Sequence, residues 1–193
     1  MFRIFKRVFD IVVSMLLLPV LFFAAVALLA LNPWANKGPL IFKQQRMGQH
    51  CKPFIVYKFR TMLCEPVISR GPDDPLELNR ITKLGAICRK LRIDEIPQII
   101  NVIKGDMSLI GPRPDYLPHA IEYLAKIPQY NIRHCVRPGI SGLAQVEIGY
   151  VSSVRETRKK VAADIYYIKN ATFRLELWII CRTIKAVLTR KGT

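Results

Sequence analysis

The sequence predicts an α+β protein, mainly helical, with an N-terminal re-entrant membrane helix, a short β-hairpin and interfacial amphipathic helices. Three observations carry this prediction. Residues 11–31, IVVSMLLLPVLFFAAVALLAL, hold no charge, and as a helix they would reach about 30 Å, the thickness of a hydrocarbon core. Residues 40–48 and 52–62 alternate apolar and polar side chains as paired strands do. Beyond residue 80, helix-period patterns dominate. The 193 residues allow one unit with a real core but not two ordinary domains. The expected division is a membrane helix over 1–36 and a cytoplasmic unit over 37–193.

Charge narrows the partners. Lys and Arg total 30 against 14 Asp and Glu, a net +16, which suits polyanions, anionic headgroups or phosphorylated small molecules. The 51% hydrophobic content excludes a disordered basic tail. Cys51, Cys64, Cys88, Cys135 and Cys181 are odd in number and include no C-x-x-C pair, so neither a disulfide framework nor a zinc ribbon is indicated. The His50-Cys51 and His134-Cys135 pairs would make a metal site only if the fold joined them; cysteines acting as small buried hydrophobes are the simpler reading.

Arg3, Lys6 and Arg7 precede the apolar segment, and Lys37, Lys43 and Arg46 follow it. The run is too long for a signal peptide and continues past its AVA triplet at 25–27. Pro19 removes a backbone donor and predicts a break near Leu16–Pro19. Basic residues on both flanks place both ends on one face, which favours a helix that re-enters over one that spans. A kinked spanning helix is the competing reading. Trp34 suits the headgroup level. Residues 65–79 read as loop, 80–91 and 97–104 as helices, 117–134 as a helix interrupted at Pro128, and 137–146 as a turn followed by a short strand. From 172 to 190, apolar residues at 173, 177, 180, 181, 184, 187 and 188 form one stripe, with Arg174, Arg182 and Lys185 off it. That stripe suits a core helix or a basic amphipathic helix in the membrane interface.

The chemistry concentrates in RIDEIPQIINVIKGDMSLIGPRP, residues 92–114. Asp94 suits the N-cap of a helix from about Glu95, with Pro97 in its first turn. That leaves Glu95 and the neighbouring Arg89 and Arg92 unexplained. Two carboxylates among cations stay ionised, and such a pair can divide labour between nucleophile and hard-metal ligand, with magnesium and a phosphate as natural partners. In GPRP, both prolines restrict the backbone around Arg113, presenting a planar fork suited to phosphate. Arg137 in RPG and Lys58 and Arg60 in YKFRTM repeat the theme more weakly.

In this order and spacing, KRVFDIVVS leading into a proline-broken segment, YKFRTM, the 92–114 block, VRPGISGLAQV and DIYYIKN resemble the bacterial sugar transferase family, the monotopic phosphoglycosyl transferases. The resemblance covers nearly the whole chain. It implies a re-entrant membrane helix, a cytoplasmic catalytic unit on the inner membrane, an Asp94-Glu95 dyad and magnesium held by these acids. It also implies transfer of a sugar 1-phosphate from a UDP-sugar to polyprenol phosphate. Asp94 would be the nucleophile and Glu95 its partner; Arg113 would contact the nucleotide or its phosphates, with Lys58, Arg60, Arg92 and Arg137 as further neighbours. One departure from the pattern is Leu18 before Pro19 where members commonly have Ser; Ser14 lies one turn earlier. An ionised aspartate can attack the sugar-bearing phosphate directly and release UMP. Other readings are a glycosyl transferase releasing UDP and a membrane-tethered basic binding module. No nucleic-acid motif is present, and neither the sugar nor a homo-oligomeric state is legible.

Overall fold

The computed structural model describes residues 2–63, 77–149 and 154–189. It is mainly helical with one short antiparallel hairpin. Helices α1 (Phe2–Leu16) and α2 (Leu18–Ala35) meet at Leu17, with Pro19 in the first turn of α2. There a missing donor costs least. Leu17 N still donates to Val13 O (3.1 Å) and Leu21 N to Leu17 O (3.0 Å), so the chain breaks with little loss of pairing. Ser14 does not relieve the break, since its buried Oγ has no hydrogen-bond partner.

Both helices return to the same body. Polar Asp10 and Ser14 are the buried residues of α1, whereas Ile4, Phe5, Val8, Val12 and Leu16 are exposed. Arg7 donates to Val102 O (2.7 Å) and Ile103 O (3.2 Å), and Lys6 pairs with Glu176 at 2.6 Å. Asp10 accepts from Ser108 Oγ (2.7 Å) and Leu109 N (3.2 Å). Lys6 and Arg7, read from the sequence as flanking charges, are thus docking groups. At the other end, Asn32 Nδ2 donates to Gly38 O (2.6 Å) and Asn36 Nδ2 to Arg60 O (2.7 Å). Between these anchors α2 has a mean hydropathy of 1.9 and is almost uncovered.

Strands β1 (Ile41–Met47) and β2 (Pro53–Phe59) pair antiparallel, Ile41 opposite Phe59 and Met47 opposite Pro53. Helix α3 (Lys83–Lys90) starts after Thr82, whose side chain accepts from Gly85 N; a 3-10 turn at Leu78–Arg80 precedes it. Most of the loop expected over 65–79 lies outside the described residues. Helix α4 (Gln98–Lys104) ends at Gly105, whose φ of 94° suits only a residue without Cβ.

A second pairing was not expected. Strand β3 (Ser108–Ile110) runs parallel to β4 (Gly139–Ser141), joining Ser108 to Gly139 and Ile110 to Ser141. The turn-then-strand expected over 137–146 is instead this three-residue strand followed by helix α6 (Leu143–Glu147). The approach is close: a Cβ on Gly139 would lie 2.1 Å from Gly111 N. Helix α5 (Leu117–Lys126) stops short of Pro128, and a 3-10 helix follows over Tyr130–Cys135.

Helices α7 (Val154–Asn170) and α8 (Phe173–Leu188) complete the described chain. Phe173, Leu177, Ile184 and Leu188 of the predicted stripe are exposed, while Glu176 and Ile179 are buried. A stripe turned outward is not a core stripe. The cysteines also differ from expectation: Cys88 is buried, Cys51 half-buried, and Cys135 and Cys181 exposed. Gln49 Nε2 does bond Cys135 O (3.2 Å), bringing the His-Cys pairs near each other. No group of three metal-ligating side chains forms among the described residues.

Candidate functional site

The acid pair does not cap α4. Asp94 and Glu95 lie in a 3-10 turn over Ile93–Glu95, and Pro97 occupies the N-cap position without a side-chain bond. Arg92, at φ 57°, reverses the chain into this turn. Asp94 Oδ1 is buried and has no hydrogen-bond partner. A capping oxygen would have one, so the capping reading is replaced by an acid held unpaired.

Glu95 is the opposite case. Its Oε1 receives Lys58 Nζ at 2.9 Å and Arg113 Nη2, and its Oε2 faces Arg113 Nη1 (3.4 Å) and Arg92 Nη1 (3.9 Å). Burial alone would raise its pKa, but Arg113 and Lys58 outweigh it and hold the carboxyl well below the usual range. Burial pushes the Asp94 carboxyl up; Lys58 and Arg113 oppose the rise and the charge on Glu95 adds to it. Lys58 is itself pushed down to about 8 by burial, against the pull of Glu95. The site therefore contains one acid locked as an anion and one adjacent acid left more basic.

The elements that carry these groups are fixed by side chains buried in unusual places. Asn101, fully buried, accepts Tyr57 N (3.1 Å) and donates to Ile55 O (2.7 Å), tying α4 to β2 and hence the acids to Lys58. The loop carrying Arg113 is held at successive carbonyls. Gly139 N donates to Pro112 O (2.9 Å), Arg133 Nη2 to Arg113 O (2.8 Å), Arg46 Nη1 to Pro114 O (2.8 Å) and Met47 N to Asp115 O (3.1 Å). The prolines withhold donors, so these acceptors define the loop's shape.

Of the residues singled out in the sequence, Lys58, Arg92 and Arg113 converge on Glu95. Arg60 does not. Its guanidinium donates to Pro39 O (2.6 Å) and Asn36 O, clasping the exit of α2. Arg137 donates to Gly105 O (2.8 Å) at the far end of α4. Gln98, Asn101 and Arg133 were not singled out in the sequence, and Arg46 was read only as a charge flanking the apolar segment. The available signal was a buried-pattern polar residue: Gln98 and Asn101 interrupt the apolar run IPQIINVI.

Magnesium takes one or two carboxylates and completes its sphere with phosphate and water. Asp94 Oδ1 fits that requirement. Glu95 fits it only by releasing Arg113 or Lys58.

An anionic acid beside an unpaired one, walled by cations, defines an anion-receptive centre. The model of the family described as bacterial sugar transferase matches residues 1–190, and the chain belongs to that family. It is 42% identical to a UDP-N-acetylgalactosamine-undecaprenyl-phosphate N-acetylgalactosaminephosphotransferase of Aeromonas hydrophila, over 97% of this chain and 44% of that protein. It therefore spans less than half of that relative. It is also 42% identical to a UDP-glucose:undecaprenyl-phosphate glucose-1-phosphate transferase of Caulobacter vibrioides, over 95% of this chain and 70% of the relative. A sugar transferase of Bacillus subtilis, EpsL, is 44% identical over 98% and 90%.

Proposed function

We propose that the protein transfers a sugar 1-phosphate from a UDP-sugar to polyprenol phosphate, releasing UMP through an aspartyl-phosphosugar on Asp94. The observation that carries this is the asymmetry of the dyad. Glu95 is saturated by cations, whereas Asp94 Oδ1 is unpaired. A carboxylate with a raised pKa is also the better nucleophile. Asp94 attacks the sugar-bearing phosphorus, the anhydride bond to UMP breaks, and UMP leaves with the bond's electron pair. Lys58 and Arg113 offset the repulsion between anionic nucleophile and diphosphate. The phosphate oxygen of the polyprenol then attacks the same phosphorus and frees Asp94. Magnesium, held by Asp94 with Glu95 behind it, would supply further charge neutralisation on the diphosphate. The relatives' substrates support the class of reaction. Incubating the protein with a panel of UDP-sugars and polyprenol phosphate should release UMP; UDP would indicate transfer of the bare sugar.

The pH profile of kcat/KM should carry two limbs. Activity requires ionised Asp94, so the acid limb should lie above the ordinary aspartate value of about 4. It also requires protonated Lys58, so activity should fall as pH rises through about 8. Lys58→Arg should move the alkaline limb upward by more than about two units; an unmoved limb would assign it to another group.

The anchoring of both helix ends to one body supports a hairpin that re-enters the cytoplasmic face of the inner membrane. About 29 residues separate Arg7 from Asn36, and a straight helix of that length would part them by about 43 Å. The outward stripe of α8 and exposed Trp34 support interfacial contact with lipid. Single cysteines at positions 2 and 49, in a chain with its own cysteines changed to serine, should both be protected from an impermeant reagent in intact cells. Labelling at one position alone would favour a spanning helix.

A further inference from the structure

Beside the acid pair, Arg46, Val56, Lys58, Gln98, Arg113 and Pro114 line a narrow cleft with room for about one water-sized atom. Its charged groups carry donors and no acceptors. Arg46 is held by Gln44 Oε1 (2.9 and 2.6 Å) and Pro114 O (2.8 Å), while Lys58 and Arg113 face Glu95. These three therefore supply positive potential from committed positions.

Gln98 is different. It is only 2% exposed, and its buried Nε2 has no acceptor. Leaving such a donor unpaired lowers stability, a cost that a bond to a ligand would offset. Gln98 shares the cleft with Lys58 and Arg113, both of which bond Glu95, so the amide lies near the dyad. A Lys or Arg here would be captured by Glu95; a neutral amide keeps its N–H for a ligand.

We infer that Gln98 Nε2 receives a single phosphoryl oxygen, in a cleft whose potential from Arg46, Lys58 and Arg113 selects an anionic one. This rests on the phosphosugar-transfer reading above. The oxygen belongs either to the diphosphate of the nucleotide sugar or to the phosphate of the polyprenol acceptor. The cleft is too small for a sugar ring or a base, so Gln98 reads phosphate and not sugar identity.

Gln98→Met keeps the size of the side chain and removes the donor. Because the amide makes no bond within the protein, the variant in detergent should melt at or above the wild-type temperature while binding worse. With UDP and magnesium as the probe, titration calorimetry should show affinity at least tenfold weaker if the oxygen is the nucleotide's. If UDP affinity is unchanged but the KM for polyprenol phosphate rises at least tenfold, the oxygen is the acceptor's. Gln98→Glu, of the same shape, should weaken the same constants at least as much. No change in either constant, or a fall of several degrees in Tm showing that the amide holds the fold, would overturn the inference. If the wild-type protein neither binds UDP nor turns over any UDP-sugar, the transfer reading itself fails, and this inference with it.

Discussion

Asp94→Asn is expected to abolish turnover, by a factor on the order of 10⁴ or more, in a protein that still folds. The substitution keeps the shape and removes the charge that, in the mechanism proposed above, attacks phosphorus. Folding should survive because Asp94 Oδ1 has no partner to lose, and a neutral amide is cheaper to bury than a carboxylate whose pKa burial already raises. The sharper readout is isotope exchange. With magnesium, a UDP-sugar and labelled UMP but no polyprenol phosphate, the native protein should carry label into the UDP-sugar, since the first half-reaction reverses on its own. The Asn variant should show none. Absence of exchange in an active native preparation would replace the covalent route by direct attack of the lipid phosphate.

The second large effect falls on a residue with no place in the chemistry. Arg133→Met should cost about 3–5 kcal/mol, the usual consequence of leaving buried charges without their partner. Arg133 is fully buried, donating to Asp115 Oδ2, to Asp164 Oδ2 (3.0 and 2.7 Å) and to Arg113 O (2.8 Å). Lys160 remains on Asp115 at 2.5 Å, so Asp164 is the carboxylate abandoned. A much lower melting temperature in detergent is expected. Arg133→Met combined with Asp164→Leu should recover part of it, since apolar replacement removes the unpaired charge. A single variant melting like the native protein would show that the network does not hold the domain.

Legibility in the sequence followed the range of the interaction. The hairpin was readable because its alternation is local, and the break at Pro19 because proline acts on its own turn. Arg92 neighbours the acids in the sequence and Arg113 stood out by its rigid presentation, whereas Lys58 was placed near them only by the family resemblance. Strands β3 and β4 could not be found: three residues carry no period, and their partners lie 31 positions apart. Arg133 and Arg60 were misjudged or missed because an arginine is ordinarily a surface residue, and only the fold shows backbone carbonyls and carboxylates converging on them. Asp94 looked like a cap because Asp before an apolar run usually is one. The turn at Arg92, in a left-handed conformation uncommon for a residue with a side chain, shifts the helix start three residues onward and frees the acid.

The docking of Arg7 onto the last carbonyls of α4 makes that helix a gauge. One end of α4 is fastened to helix α1, and the acid pair sits just before the other, about 10 Å away over seven residues. With the hairpin seated in the bilayer as proposed, the altitude of the acids above the lipid is set by this one rigid rod rather than by a flexible tether. A headgroup phosphate would then meet a soluble nucleotide at a constant height, without the lipid being lifted from its leaflet. Removing residues 1–36 to obtain a soluble domain would discard that calibration along with the anchor.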